Sequence, residues 1–231
     1  MKKSVVLFIM SLMTSSLAYA QSTTNSIFID QVGNGSTITV TQKGQTNSIG
    51  TEQNRVVIEG NNQTITSTQE GNNNLIQGSI TQGDNLNIDS TVTGDNNTVT
   101  YDMGDAGSVA GSTKTLTVTG SSNDLTFNQG TASGATGATQ NITFTGDTNT
   151  YTSTINTDDV VNDMTVAGDG NTITMVQDGT AGKNVEMVLT GSTNNVTVNQ
   201  KSTNNVDTIK INSTSTGSTL VINQCNAGGP C

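Results

Sequence analysis

The side chains in this sequence best suited to chemistry are few and scattered. Asp95, Asp147 and Asp169 each directly follow a glycine, and carboxylates repeated at matched turns are donors that a calcium ion takes. The Gly-Gly-x-Gly-x-Asp repeat that builds such calcium rows is absent, so these residues read as solvated turn aspartates. Proton abstraction from a polysaccharide needs clustered carboxylates beside a basic group. Here there is no histidine, Arg55 is the only arginine, and Lys43, Lys114, Lys183, Lys201 and Lys210 read as lying on turns and outer faces. Serine and threonine are too abundant for any one to stand out as a nucleophile. The expectation is a chain that is not an enzyme, with no catalytic residue, cofactor or metal site.

Two further sets have possible chemistry. Cys225 and Cys231 bracket CNAGGPC at the C-terminus. In an exported chain they read as a local disulfide closing the last coil, with an intermolecular crosslink as the alternative. Outward rows of Thr-x-Thr (Thr37, Thr39 and Thr41; Thr64, Thr66 and Thr68; Thr91 and Thr93; Thr117 and Thr119; Thr143 and Thr145) resemble the water-ordering faces of ice-binding proteins. They equally suit any soluble β surface. Asn34-Gly-Ser matches a glycosylation acceptor, but a tight turn already accounts for it.

The elements that carry these residues follow from period-two alternation. NSIFIDQVGNGSTITVTQ, Asn25 to Gln42, reads as two strands joined by a short glycine turn, with Ile27, Ile29, Gln31, Ile38, Val40 and Gln42 on one face. Such a unit is too thin to bury that face alone and needs copies stacked on it. The copies are marked by Gly44, Gly71, Gly94, Gly120, Gly146, Gly168, Gly191 and Gly217, spaced 22 to 27 residues apart. Asn47, Asn74, Asn97, Asn123, Asn149, Asn171 and Asn194 follow the first seven at three residues' distance, whereas Leu220 follows the eighth. A looser second series runs through Gly33, Gly60, Gly83, Gly104, Gly130, the Thr157 region, Gly179 and Ser202. The fold expected is all-β: a two-sheet β-solenoid of about eight strand-turn-strand coils, in one domain. Turn glycines are expected to supply positive φ.

Glutamines occupy two inward positions. On one strand they are Gln42 and Gln69, replaced further on by Val92, Val118, Phe144, Val166 and Leu189; on the other they are Gln31, Gln129, Gln177 and Gln200. The glutamine ladders therefore read as fullest at the N-terminal end, which is expected to be the templating edge.

Composition and charge set the address. Aromatics are 3 % and hydrophobics 31 %, a disorder-like balance that the regular alternation overrides. Lys2 and Lys3, an apolar run from Val5 to Met13 and Ala18-Tyr19-Ala20 read as a cleaved secretory leader over residues 1–20. The repeat domain then spans 21–224 and the cysteine-bounded tail 225–231. Formal charge goes from −10 to −12 as Lys2 and Lys3 leave with the leader, which argues against nucleic acid and anionic membrane as partners. No later run suits a membrane-spanning helix, so the chain is expected to be secreted, at the cell surface or beyond it.

The unit Gln31-x-Gly33-x-x-Ser36-x-Ile38-x-Val40-x-Gln42-x-Gly44-x-x-Asn47-x-Ile49 resembles the curlin repeat of bacterial curli subunits. The likeness is close over Asn25 to Gln82 and looser beyond. It implies a structural subunit of an extracellular functional amyloid fibre, with roles in biofilm matrix and adhesion. It also implies self-association or pairing with related subunits, and a dedicated export and nucleation apparatus. The alternative is a stand-alone surface-binding solenoid, an adhesin or ice-binding protein, that uses its threonine face.

Overall fold

Alternating Ile or Val with Thr, Ser or Asn selects an extended strand with one apolar and one polar face. A pair of such strands is marginal alone, and the structure shows what completes it. The computed structural model describes residues 6–9, 16–20, 25–35, 37–85, 87–104, 111–130, 137–179, 182–201 and 206–225. Among these there is no helix. The chain passes alternately between two parallel sheets, forming a β-solenoid.

Sheet A holds β1 (Val6–Ile9), β3 (Ser26–Val32), β5 (Ser48–Ile49), β6 (Val56–Asn61), β8 (Leu75–Asp84), β10 (Thr98–Met103), β12 (Asp124–Gln129), β14 (Thr150–Asn156), β16 (Thr172–Asp178), β18 (Asn195–Lys201) and β20 (Thr219–Cys225). Sheet B holds β2 (Ser16–Ala20), β4 (Thr37–Lys43), β7 (Thr64–Glu70), β9 (Asn87–Thr93), β11 (Thr113–Thr117), β13 (Thr139–Thr143), β15 (Met164–Val166), β17 (Lys183–Leu189) and β19 (Asp207–Ser213). Strands within a sheet repeat at ~4.8 Å, so the stack from β3 to β20 is on the order of 40 Å long. Within the segment read as a leader, β1 pairs with β3 and β2 with β4.

In-register stacking converts each inward position into a column. In sheet A the first column runs Ile27, Ile49, Ile76, Val99, Leu125, Tyr151, Ile173, Val196, Leu220. The second runs Ile29, Val56, then Tyr101, Phe127, Ser153, Met175, Val198, Ile222. Gly78 is the partner of Tyr101 in β8, and the ring of Tyr101 stacks on Phe127 with centroids 5.5 Å apart. The expected inward residues of both sheets are buried as read.

Four expectations need correction. Lys114 and Lys183, read as turn or outer residues, are 2 % and 0 % exposed. Strand register puts Lys114 inward, in the column of Ile88 and Gln140.

The last turn is also displaced. Asn194 pairs through its Oδ1 with the Ser218 N–H, and Gly191 lies against Ser215. Ser215, not Gly217, therefore continues the glycine column. Gly217 instead takes the position two residues on, where the chain needs positive φ.

The glutamine gradient holds in sheet B, where Gln42 stacks on Gln69 and Val92 follows, but is reversed in sheet A. Gln31 is separated from Gln129 by Ile58, Ile80 and Met103, whereas Gln177, Gln200 and Gln224 form an unbroken run at the C-terminal end.

Finally, positive φ is only part of the reason for the turn glycines. Gly168 and Gly191 have no positive φ, yet a Cβ there would sit 1.9 and 1.8 Å from a carbonyl oxygen of the next coil. The turns approach each other too closely for a side chain.

Candidate functional site

The uniform edge is built from one motif. In each turn the residue two after the glycine adopts left-handed φ: Thr46, Asn73, Asn96, Ser122, Thr148 and Thr193, with Gly170 and Gly217 completing the set. The Asn that follows is fully buried, and each one accepts from the next. Asn74 donates its backbone N–H and its Nδ2 to Oδ1 of Asn47, at 3.0 and 3.1 Å. Asn97, Asn123, Asn149, Asn171 and Asn194 repeat the pattern. The second Nδ2 hydrogen goes to a turn carbonyl, as from Asn97 to Gly120 O at 2.7 Å. The first rung, missed in the sequence because no glycine marks it, is Asn25, whose Oδ1 accepts from the Asn47 N–H.

One position after the glycine runs a second ladder. Oδ1 of Asp95 accepts from the Asn72 N–H at 2.6 Å, Oδ1 of Asp147 from Ser121 at 2.7 Å, and Oδ1 of Asp169 from Asp147 at 2.8 Å. The turn aspartates thus cap backbone donors of the preceding coil. Among the described residues no group of three or more potential metal ligands exists.

The glutamine ladders are shorter. Gln42 Nε2 donates to Gln69 Oε1 at 2.7 Å, Gln177 Nε2 to Gln200 Oε1 at 2.8 Å, and Gln200 Nε2 to Gln224 Oε1 at 3.0 Å. Gln129 leaves the ladder and takes a hydrogen bond from the buried Lys114 Nζ, while its Nε2 donates to Ser112 Oγ at 2.9 Å. Lys114 makes no ion pair among the described residues. Burial lowers its pKa from 10.5 to about 7. Gln140 and Asn162, also fully buried, have no partner for either polar atom of their amides. Lys183 is different: its ammonium lies 3.5 Å from Asp207 Oδ2.

Among the described residues the C-terminal end of the stack is open. At the C-terminal end β20 pairs only with β18 and β19 only with β17. The inward Leu220 and Ile222 are only partly buried, and Val221 on the other face is 57 % exposed. Sheet A ends one strand beyond sheet B, because the repeats end on β20. Cys225 is disulfide-bonded; Cys231, together with Ser36 and Ser202, lies outside the described residues.

On the outer face of sheet B, register aligns Thr41, Thr68, Thr91, Thr117 and Thr143 with Thr165 in a single column. The column ends at Val188. The sequence placed the first five of these threonines outward; the register shows that they stack without a gap and adds Thr165.

No protein-family model, no curated protein and no solved structure matches this chain.

Proposed function

We propose that this protein is a structural subunit of a curli-like extracellular fibre that grows by end-to-end addition of parallel strands. The observation that carries the reading is the register between the two ends. Continuing the columns of sheet A beyond β20 places Ile27 of a second copy over Leu220, Ile29 over Ile222 and Gln31 over Gln224. Apolar meets apolar, and the amide run Gln177–Gln200–Gln224 gains another rung. Exposed strand edges with such matched side chains are templates for a further strand. In sheet B one strand position separates β19 from the incoming β4, so the joint is made in sheet A. Removal of residues 1–20 by export processing bares β3 for this contact. An export and nucleation apparatus and related subunits are the partners this reading calls for.

Ser215 is the one impediment in the described end. It stands where every earlier turn has glycine, and although its hydroxyl turns back to Ser213 Oγ and Asn194 Oδ1, a turn stacked on it meets a side chain where the earlier turns have none. In a seeded growth assay, Ser215→Gly is expected to accelerate elongation severalfold. Ile222→Lys, which places a charge in the joint, is expected to stop it. Equal elongation rates for wild type and Ile222→Lys would exclude the β20 edge as the growing surface.

A second reading, a water-ordering surface, is favoured by the six-threonine column of sheet B. Recrystallisation inhibition of ice at micromolar protein tests it, with Thr91→Val and Thr117→Leu as the controls.

A further inference from the structure

One coil departs from the repeat in a way that neither stacking nor growth requires. Its sheet A strand is broken into β5 and β6, which share one level between β3 and β8. Gly50, with φ of 66°, turns the chain outward, and residues 51–55 stand off the sheet. The excursion is ordered by its own bonds: the Thr51 N–H donates to Asn54 O at 2.7 Å and the Asn54 N–H to Thr51 Oγ1 at 2.9 Å. It ends on Arg55, whose Nη1 donates to Asp30 Oδ1 at 3.1 Å while its guanidinium lies 5.9 Å from the Phe28 ring centre. An interrupted strand gives up sheet hydrogen bonds, and the sole arginine of the chain is held in place at the interruption.

The excursion forms the wall of a groove of about 530 Å³, whose floor is the outer face of β6, β8 and β10. Gln53, Asn54 and Arg55 face it from the wall, and Gln77, Ser79 and Asp102 from the floor. Gln77 Nε2 reaches Thr100 Oγ1 at 3.2 Å, which orients its amide. The volume is that of an ordinary small-ligand site. Its chemistry restricts the class of ligand. Arg55, the groove's one cationic lining residue, is already paired with Asp30 at 3.1 Å, so the groove is poorly suited to phosphate, sulfate or uronate. Its apolar lining is spread over the half-buried Val57 and parts of neighbouring side chains, with no large ring or aliphatic cluster exposed to seat a lipid chain. What remains is an array of amides, a hydroxyl, a carboxylate and a guanidinium, which pairs with vicinal hydroxyl groups through both donors and acceptors.

We propose that this groove binds an uncharged, hydroxyl-rich oligosaccharide strand. Binding of this kind does not depend on fibre growth; a fibre would repeat the groove once per copy and gain avidity for a long glycan.

The test is calorimetric titration of the monomeric protein with cellohexaose, laminarihexaose and mannohexaose, with hexagalacturonate as the charged comparison. Saturable binding of a neutral hexaose is expected. It should weaken about tenfold or more, the loss of one or two hydrogen bonds, in Gln77→Ala and in the double variant Gln53→Ala/Asn54→Ala. Both Gln53 and Asn54 are exposed, so the double variant is expected to melt like wild type. The proposal is overturned by any of three outcomes: no saturable binding of a neutral hexaose up to about 5 mM, tighter binding of hexagalacturonate, or binding that the variants leave unchanged.

Discussion

Replacing Gly71 with alanine is expected to destabilise the protein by ~4 kcal/mol or more, a loss that few single substitutions reach. Two costs combine. Gly71 has φ of 102°, and an L side chain in such a conformation costs roughly 1–3 kcal/mol. Its Cβ would also lie 2.0 Å from the carbonyl oxygen of Gly94, so the coils must part. Forcing extra volume into a packed contact adds about 1–3 kcal/mol more. Here the displaced atom is backbone, which also supports the asparagine ladder: Gly94 O accepts from Asn74 Nδ2 at 2.7 Å. Gly191→Ala separates the two costs, since Gly191 lacks positive φ but its Cβ would meet Ser215 O at 1.8 Å. Urea denaturation of both variants checks the account. A Gly191→Ala protein as stable as wild type would show that inter-coil contact is not why these turns use glycine.

Lys114→Met is expected to stabilise the protein below about pH 7 and to remove most of its pH dependence up to pH 10. An ammonium buried with no carboxylate beside it prefers to lose its proton, and burial holds Lys114 near 7 instead of 10.5. Between those values the unfolded chain binds more protons than the folded one, so stability rises as pH rises. Below about pH 7 both states are protonated and the full penalty is present. The span corresponds to ~4–5 kcal/mol. Methionine fills similar space without a charge, although it leaves Gln129 Oε1 without its donor, a cost of about 1–3 kcal/mol. Wild type should therefore gain stability from pH 7 to about 10, while the variant stays nearly level. Above pH 10 both should weaken, because burial raises the pKa of Tyr101 to about 12 and the unfolded state then releases its proton first. Chemical denaturation at intervals from pH 6 to 10 reads the difference directly. A wild-type profile as flat as the variant's would show that Lys114 reaches water.

The architecture was legible because the signals for it are local and repeated. Alternation fixed which residues face inward, and the seven Gly-x-x-Asn turns fixed the length of each coil. The ladder through Asn47 to Asn194 followed from spacing alone. What escaped notice lies where a column must be followed across coils. Lys114 alternates correctly for an inward position, with Leu116 and Val118 after it, but its charge made an outer position the natural reading. Only the register with Ile88 and Gln140 shows otherwise. Gln140 and Asn162 are hidden in the same way, as polar residues in a column that is apolar elsewhere apart from Lys114. Ser215 was hidden because Gly217, two residues on, completes a false Gly match in the count. The C-terminal glutamine run was missed because the Gln31 column was read without the Ile58, Ile80 and Met103 that interrupt it. The Gln177–Gln200–Gln224 run gives sheet A its ladder at the C-terminus, while Gln42 and Gln69 keep one at the N-terminal end of sheet B, and the expected closure by cysteines becomes a property of the tail alone. The mid-strand excursion at residues 51–55 had no signal beyond a local lapse in alternation.

End-to-end growth is most directly tested by incubating residues 21–231 at micromolar concentration with preformed fibrils of the same chain, and recording thioflavin fluorescence and fibre diffraction. Growth of thioflavin-positive fibrils with a meridional reflection at about 4.7 Å is the predicted result. Protein that stays monomeric with seeds present, and melts as a single folded species, would contradict it.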